Sequence, residues 1–274
     1  MSLKSEDRPE SASGTVADER WLRVFPPGDV METHTFSDEH RAGLYQAIFN
    51  RRDVRGQFKP DPVAPEVLSR VLTAAHFAPS VGFMQPWNFI VISDAAIKRR
   101  VHDDFLVANA EAAERFDDDR AQSYRGFKLE GIMEAPVNIC VTCDRDRAGP
   151  VVIGRTHIPV MDLYSSVCAV QNLWLAARAE GLGVGWVSIL HTRVLREILG
   201  LPPRVAPVAY LCLGKVTDFK SEPELATAGW RPRLDLAELI HFDRWQGPAG
   251  HDDGTLLDQV RACQERAAAG GMLD

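Results

Sequence analysis

The densest charged feature of the sequence is Asn50-Arg51-Arg52-Asp53-Val54-Arg55. If the helical turn before it continues, Arg51, Arg52 and Arg55 share a face, because residues three and four apart are neighbours on a helix surface. Guanidinium forks converging there would take a phosphate, which accepts paired hydrogen bonds. The same residues would equally serve as a solvated basic helix end that complements the helix dipole. Asp53 sets a condition on the anion site. A carboxylate aimed at a phosphate is repelled, so it must face elsewhere or pair with an arginine. Near several arginines its pKa is expected to fall.

A second feature is Ala78-Pro79-Ser80-Val81-Gly82-Phe83-Met84-Gln85-Pro86-Trp87. Its prolines and glycine fix a loop between a helix and a strand. Ser80 and Gln85 offer donors and acceptors, and Phe83, Met84 and Trp87 offer apolar faces, a lining that suits a flat heteroaromatic ring. An ordinary turn with core aromatics has the same composition. In Gly181-Leu182-Gly183-Val184-Gly185-Trp186-Val187-Ser188 the glycines do not make GxGxxG, so no dinucleotide fingerprint is present. Alternation along a strand would put Val184, Trp186 and Ser188 on one face. A hydroxyl there must find a partner or face a ligand. No GxSxG surrounds Ser188, which argues against a hydrolase nucleophile. Trp230-Arg231-Pro232-Arg233 holds two cations apart on a stiff proline. They would close over an anion or stand solvated.

Metal chemistry finds little support. Cys140 and Cys143 form a CxxC inside Val137–Cys143, which reads as a strand, so the two thiols point to opposite faces and could not grip one ion. The histidines lie in polar stretches, as in His102-Asp103-Asp104 and His251-Asp252-Asp253, with no HExxH spacing. The cysteines are odd in number and mostly in apolar surroundings, as buried thiols in a reducing cytoplasm would be.

The elements that must position these residues can be read from periodicity. Residues 1–36 are polar and Gly/Pro-rich and are expected to form an extension, with the flavour of an arm rather than a domain. Ser37 is a plausible N-cap, and Leu44, Tyr45, Ile48 and Phe49 recur at helical spacing after it. A helix from Pro65 buries Val67, Leu68, Val71, Leu72 and Ala75, and Pro79 follows its end. Strands are expected at Trp87–Ile92, Val137–Cys143, Val184–Ser188 and Pro207–Leu213. Asp94 caps the helix after the first of these. Residues 105–134 are charged and loosely helical, either a lid or a solvated excursion. Asp162–Glu180 is apolar nearly all round and reads as buried on every side, either centrally or in a subunit interface. Thr192 is expected to cap a short helix through Leu199. Residues 215–235 read as an arm, and 251–274 hold a last helix with Leu256, Val260, Cys263 and Ala267 on one stripe. The whole predicts an α+β sandwich, with residues 37–250 as its folded domain.

Length and composition bound the rest. A chain of 274 residues, 45% apolar and 25% charged, buries a full core without disulfides. Thirty-one basic and 38 acidic residues leave a net charge of −7, with no basic block for nucleic acid. No run is long and apolar enough for a membrane span, and the first ten residues do not read as a signal peptide.

Together, the Arg-rich turn, the Pro-Ser loop ending in Gln-Pro-Trp, the glycine-rich strand and the late basic pair resemble the nitroreductase-like flavoprotein superfamily, over about residues 37–235. The resemblance narrows to its BluB-type branch through Arg51-Arg52-Asp53-Val54-Arg55, Pro79 to Trp87, and Asp162 to Ser188 with Tyr164-Ser165-Ser166-Val167-Cys168-Ala169-Val170-Gln171-Asn172-Leu173-Trp174. Common nitroreductases carry Ser where this chain has Asp53 and Asn where it has Phe83, so ordinary NAD(P)H-driven nitroreduction is disfavoured.

The resemblance implies a mostly antiparallel central sheet flanked by helices, and a homodimer with shared sites. It implies reduced FMN as substrate, supplied by a separate flavin reductase. Molecular oxygen would convert it to 5,6-dimethylbenzimidazole, the lower ligand of cobalamin, with erythrose 4-phosphate as by-product and no metal. The residues it points to are Arg51, Arg52, Asp53, Val54, Arg55, Ser80, Gln85, Lys128, Trp186, Val187, Ser188, Arg231 and Arg233. The arginines would hold the ribityl phosphate, and Ser80 and Gln85 the polar edge of the ring. Asp53 would be the base, Ser188 a donor or proton relay, and residues 105–134 with Tyr124 and Lys128 a lid. A conventional FMN oxidoreductase and a non-catalytic flavin-binding protein are the alternatives.

Overall fold

The computed structural model describes residues 35–250 and 253–270. The chain separates at Arg41 into two units. Of the first, the described part is the opening of helix α1 (Asp38–Asn50), where Ser37 Oγ accepts the amide of His40 at 3.3 Å, the bond of an N-cap. Residues 1–34 of the extension expected over 1–36 lie outside the described residues.

The second unit continues with α2 (Pro65–His76), β1 (Trp87–Ile92), α3 (Ala95–Ala113), α4 (Asp118–Arg125), β2 (Val137–Asp144) and α5 (Met161–Ala179). Then come β3 (Gly183–Val187), α6 (Thr192–Leu199), β4 (Val205–Gly214), the single turn α7 (Glu224–Thr227) and α8 (Asp253–Ala268). The strands form an antiparallel sheet in the order β1-β2-β4-β3. This is the α+β sandwich that periodicity predicts.

Strand alternation splits the core into two layers. Ile139 and Val141 of β2 face α2 and α5, packing with Val71, Ala75, Leu173, Trp174, Leu211 and Leu213. Cys140 faces α3 and α6, with Val101, Phe105, Ile132, Leu195 and Tyr210. Each such buried aliphatic side chain stabilises the fold by about 1.5–3 kcal/mol. Cys143 lies on the α5 side, against Ser166, so the CxxC thiols do point apart. Burial pushes the Cys140 thiol up to about 12 and raises that of Cys212 as well.

Several expectations change. On α5, Ala169, Leu173, Trp174 and Ala177 are buried, but Tyr164 and Val167 are exposed. Leu44, Tyr45 and Ile48 of α1 are exposed too. Both helices therefore carry apolar faces that the described chain leaves uncovered. Residues 105–134 are not wholly solvated: Phe105 and Ile132 are core, while Phe116, Tyr124 and Phe127 surround the Trp230 ring at 5.3, 6.5 and 5.5 Å. His191, not Thr192, occupies the N-cap position of α6, without a side-chain capping bond. On α8, Leu257 takes the half-buried place expected of Leu256. Gln264 sets that face by bridging Leu236 N at 2.7 Å and Leu234 O at 3.0 Å.

Candidate active site

Helix α1 stops at Asn50, so Arg51–Arg55 do not share a helical face. The backbone instead joins the open edge of β3. Asp53 pairs with Val184 in parallel, and Val54 N donates to Val184 O at 3.0 Å. An unpaired strand edge offers such bonds, and the turn takes them. Gly185 makes the approach possible, because a Cβ there would lie 2.0 Å from Val54 O.

This geometry sends the arginines to different partners. The Arg51 guanidinium lies 4.7 Å over the Trp174 ring. Arg52 donates to the carbonyls of Phe49 at 2.7 Å and Arg51 at 2.8 Å, and to that of Ser221. Arg55, with 13% of its side chain exposed, donates from Nη2 to Asp53 Oδ2 at 2.7 Å and has Nη1 3.7 Å from Glu224 Oε2. It is thus an internal ion-pair partner rather than a prong of a phosphate fork. Val54 is core, so only its backbone meets the site.

A smaller cationic cluster does form. Arg51 and Arg52 feel each other and Arg233 as like charges, and Arg52 also feels Arg178. Burial first, with these repulsions, holds both guanidinium pKa values below the ordinary arginine range, against the opposing attraction of Asp53 on Arg51 and of Glu222 on Arg52. Neither Arg51 nor Arg233 has an ion-pair partner among the described residues. Arg231 is exposed on the same arm. Arg178, donating to Asn50 O at 3.1 Å and stacked 4.0 Å over Phe219, belongs to this cluster and was not foreseen. Its only sequence signal was its position in the last turn of an apolar helix.

Asp53 sits at the edge of that cluster. Its Oδ1 accepts the Trp186 amide at 2.9 Å, and 31% of its side chain remains exposed. Burial outweighs Arg55, the Trp186 bond and Arg51, so its pKa is raised, not lowered as expected. Trp186 is half-buried beside Trp174, with ring centroids 6.3 Å apart. Val187 points into the other core layer. Ser188 lies one residue past the end of β3 and is exposed, so it does not continue the pleat of Val184 and Trp186.

The Ser80 loop is backbone-strained. Gly82, Phe83 and Gln85 all have positive φ, at 57°, 51° and 46°. Ser80 Oγ accepts Gln85 N at 3.0 Å, and Ser165 Oγ of α5 accepts Val81 N at 3.2 Å. Arg147 clamps the exit, donating to Gln85 O at 3.1 Å and Asn88 Oδ1 at 2.6 Å. Phe83 is 84% exposed, whereas Met84 and Trp87 are core rather than lining. Lys128 lies beside the turn at Gly56, but its ammonium is taken by Glu130 and Glu134.

Residues 48–215 match the model of the nitroreductase family. The 5,6-dimethylbenzimidazole synthase of Rhodospirillum rubrum is 42% identical over 199 residues, covering 72% of this chain and 93% of that one. The enzyme of that name from Rhodobacter capsulatus is 38% identical, covering 73% and 96%. The chain belongs to the nitroreductase family, on its 5,6-dimethylbenzimidazole synthase branch.

Solved structures share the fold. An iodotyrosine deiodinase bound to FMN and 3-iodo-L-tyrosine superposes with a TM-score of 0.59 at 21% identity, covering 74% of this chain and all (100%) of that one. A BluB-like flavoprotein from Clostridium difficile does so with 0.55 at 23%, covering 73% and 99%. No described helix is long and apolar enough to cross a membrane.

Proposed function

We propose that this protein converts reduced FMN, with molecular oxygen, to 5,6-dimethylbenzimidazole and erythrose 4-phosphate. The observation that carries the proposal is one carboxylate, Asp53, fixed by the Trp186 amide at the rim of a cluster of like-charged arginines. Relatives 36–42% identical are named for that product.

The residues present suit a flavin mononucleotide. Arg51, Arg52 and Arg233 crowd like charges that a phosphate would relieve. The buried donors Arg52 Nε and Trp174 Nε1 have no acceptor among the described residues. Arg51, Arg52, Arg233 and Arg231 would hold the phosphate. Ser80 and Gln85 would meet the polar edge of the ring, with the backbone of Trp186 and Val187 on another side. Arg55, Val54 and Lys128 would act by holding the turn in place.

Bound reduced FMN supplies an electron-rich ring that reacts with oxygen. The protein's work is to exclude water and direct protons. Asp53 has Oδ1 held by the Trp186 amide and Oδ2 by Arg55, and so fixed it would accept a proton from the ribityl carbon next to the ring. Ser188, exposed just past β3, would donate to the flavin or relay that proton. A flavin reductase would supply the substrate.

The uncovered faces of α1 (Leu44, Tyr45, Ile48) and α5 (Tyr164, Val167) support a homodimer with shared sites. All five cysteines are free, which fits a reducing cytoplasm.

One assay tests the function. Protein, reduced FMN and air are mixed, flavin absorbance is followed, and products are read by mass spectrometry. Loss of flavin with appearance of 5,6-dimethylbenzimidazole is expected. Yellow flavin that persists while NAD(P)H is consumed would mark a conventional oxidoreductase, and flavin that survives reduction and aeration unchanged would mark a binding protein.

A further inference from the structure

The arm after β4 returns to the turn that carries Asp53. Lys59 N donates to Lys215 O at 2.8 Å, and Thr217 N to Gln57 O at 2.9 Å. These bonds strap the arm along residues 57–59 and deliver α7 to Arg55. Glu224, the first residue of α7, then makes two contacts with the turn. Its Oε1 accepts Gln57 Nε2 at 2.9 Å, and its Oε2 lies 3.7 Å from Arg55 Nη1. Gln57 in turn accepts the Arg55 amide at 3.1 Å through its own Oε1. The other terminal nitrogen of Arg55 is the one bonded to Asp53 Oδ2 at 2.7 Å. One guanidinium therefore lies between two carboxylates drawn from opposite ends of the domain.

We propose that Glu224 is a positioning residue for Asp53, holding the shared Arg55 guanidinium between the two carboxylates so that it never neutralises Asp53 fully. The proposal rests on Asp53 as the acid–base group of the reaction. Its physical basis is competition. Arg55 has 13% of its side chain exposed, so water screens it poorly, and the negative charge of Glu224 offsets part of the attraction that Arg55 exerts on Asp53. A base that is ion-paired too strongly loses its affinity for a proton. The surroundings of Asp53 contain few other sources of charge. Arg55 and Arg51 face it from its own turn, the Trp186 amide faces it from β3, and the Cys212 thiol of β4 lies within electrostatic reach. Lys128, near the same turn, is committed to Glu130 and Glu134. Glu224 is thus the anion that divides Arg55 with Asp53. Nothing in the local sequence around Asp53 signals it, because it lies in an arm read as irregular.

The test is the pH dependence of flavin consumption in Glu224→Gln, which keeps an oxygen for Gln57 while removing the charge. Arg55 then serves Asp53 alone, and the acid limb of the profile should move to lower pH by roughly half a unit to one unit. Arg55→Gln should move it to higher pH. A second readout is direct: carboxyl NMR titration of aspartate-labelled full-length protein, with Asp53 assigned by its absence from Asp53→Asn. Its midpoint should fall in Glu224→Gln. If Glu224→Gln lowers the melting temperature or the rate but leaves the acid limb and the midpoint in place, Glu224 is merely structural and the inference is overturned. If Asp53→Asn keeps the full rate, the acid–base role of Asp53 falls. The titration then decides the inference alone, and an unmoved midpoint overturns it.

Discussion

The Asp53 carboxylate and the Trp186 amide are joined by a hydrogen bond of 2.9 Å. That bond locks a side chain of the Arg-rich turn to β3, the strand that ends at Val187, although 133 residues separate the partners. The candidate base therefore does not depend on a flexible loop for its position.

Asp53→Asn keeps the shape and an acceptor for the Trp186 amide while removing the base. Product formation from supplied reduced FMN should fall by about 10²–10⁴-fold, the usual worth of a positioned general base. FMN affinity should change little. Because the pKa of Asp53 is raised, activity in the wild type should fail on the acid side at a higher pH than an ordinary aspartate would give. Product at the normal rate from the variant would remove Asp53 from the mechanism.

Arg233→Ala, and separately Arg51→Ala, should weaken FMN binding by roughly 10- to 100-fold, from about 1.5–3 kcal/mol for a hydrogen bond to a charged group. Riboflavin, which has no phosphate, should bind both variants as it binds the wild type. Equal losses for the two flavins in isothermal titration would assign the arginines to the ring and not to the phosphate.

His191 gives a pH effect away from the site. Its Nδ1 is 2.8 Å from Asp104 Oδ1 and its Nε2 is 2.9 Å from Glu111 Oε2, and hydrogen bonds to these carboxylates raise its pKa. A pKa raised on folding adds stability that is complete below the unfolded value of 6.5 and disappears as pH rises through the folded value. The melting temperature should therefore drop more between about pH 6 and pH 9 in the wild type than in His191→Gln. Parallel slopes would show that the clamp between α3 and α6 carries no protonation-linked stability.

Gly185→Ala places a Cβ against backbone, 2.0 Å from Val54 O. The turn must leave β3, at a cost of about 1–3 kcal/mol in urea unfolding. FMN binding should be lost with it. Gly43→Ala, where no atom lies within 4 Å of the added carbon, is the control, and in a helix it should be neutral or stabilising. Equal effects of the two substitutions would mean that the Val54–Gly185 contact matters less than its distance implies.

How far the sequence could be read follows from where each partner lies. The strands at Trp87 and Val137 and the cap at Asp94 were legible, because alternation and caps are local. Asp53, Arg51 and Arg233 were legible as charges that needed partners. Their partners were not, because periodicity contains nothing about which residue arrives from 167 positions away, as Glu224 does at Gln57. The helical grouping of Arg51, Arg52 and Arg55 failed for a related reason. The bare edge of β3 competes for the backbone of the turn, and hydrogen bonding to Val184 wins over one more helical turn. The apolar faces of α1 and α5 were visible as patterns, yet a pattern does not say whether its own chain covers it.

The two core layers bear on how the protein survives its own chemistry. Reduced flavin in air sheds hydrogen peroxide, which attacks thiolates and spares thiols. Cys140, Cys143 and Cys212 are buried in those layers with their pKa values raised. They present almost no thiolate near neutral pH, so the oxidant made by free reduced flavin finds the interior of the sandwich chemically quiet.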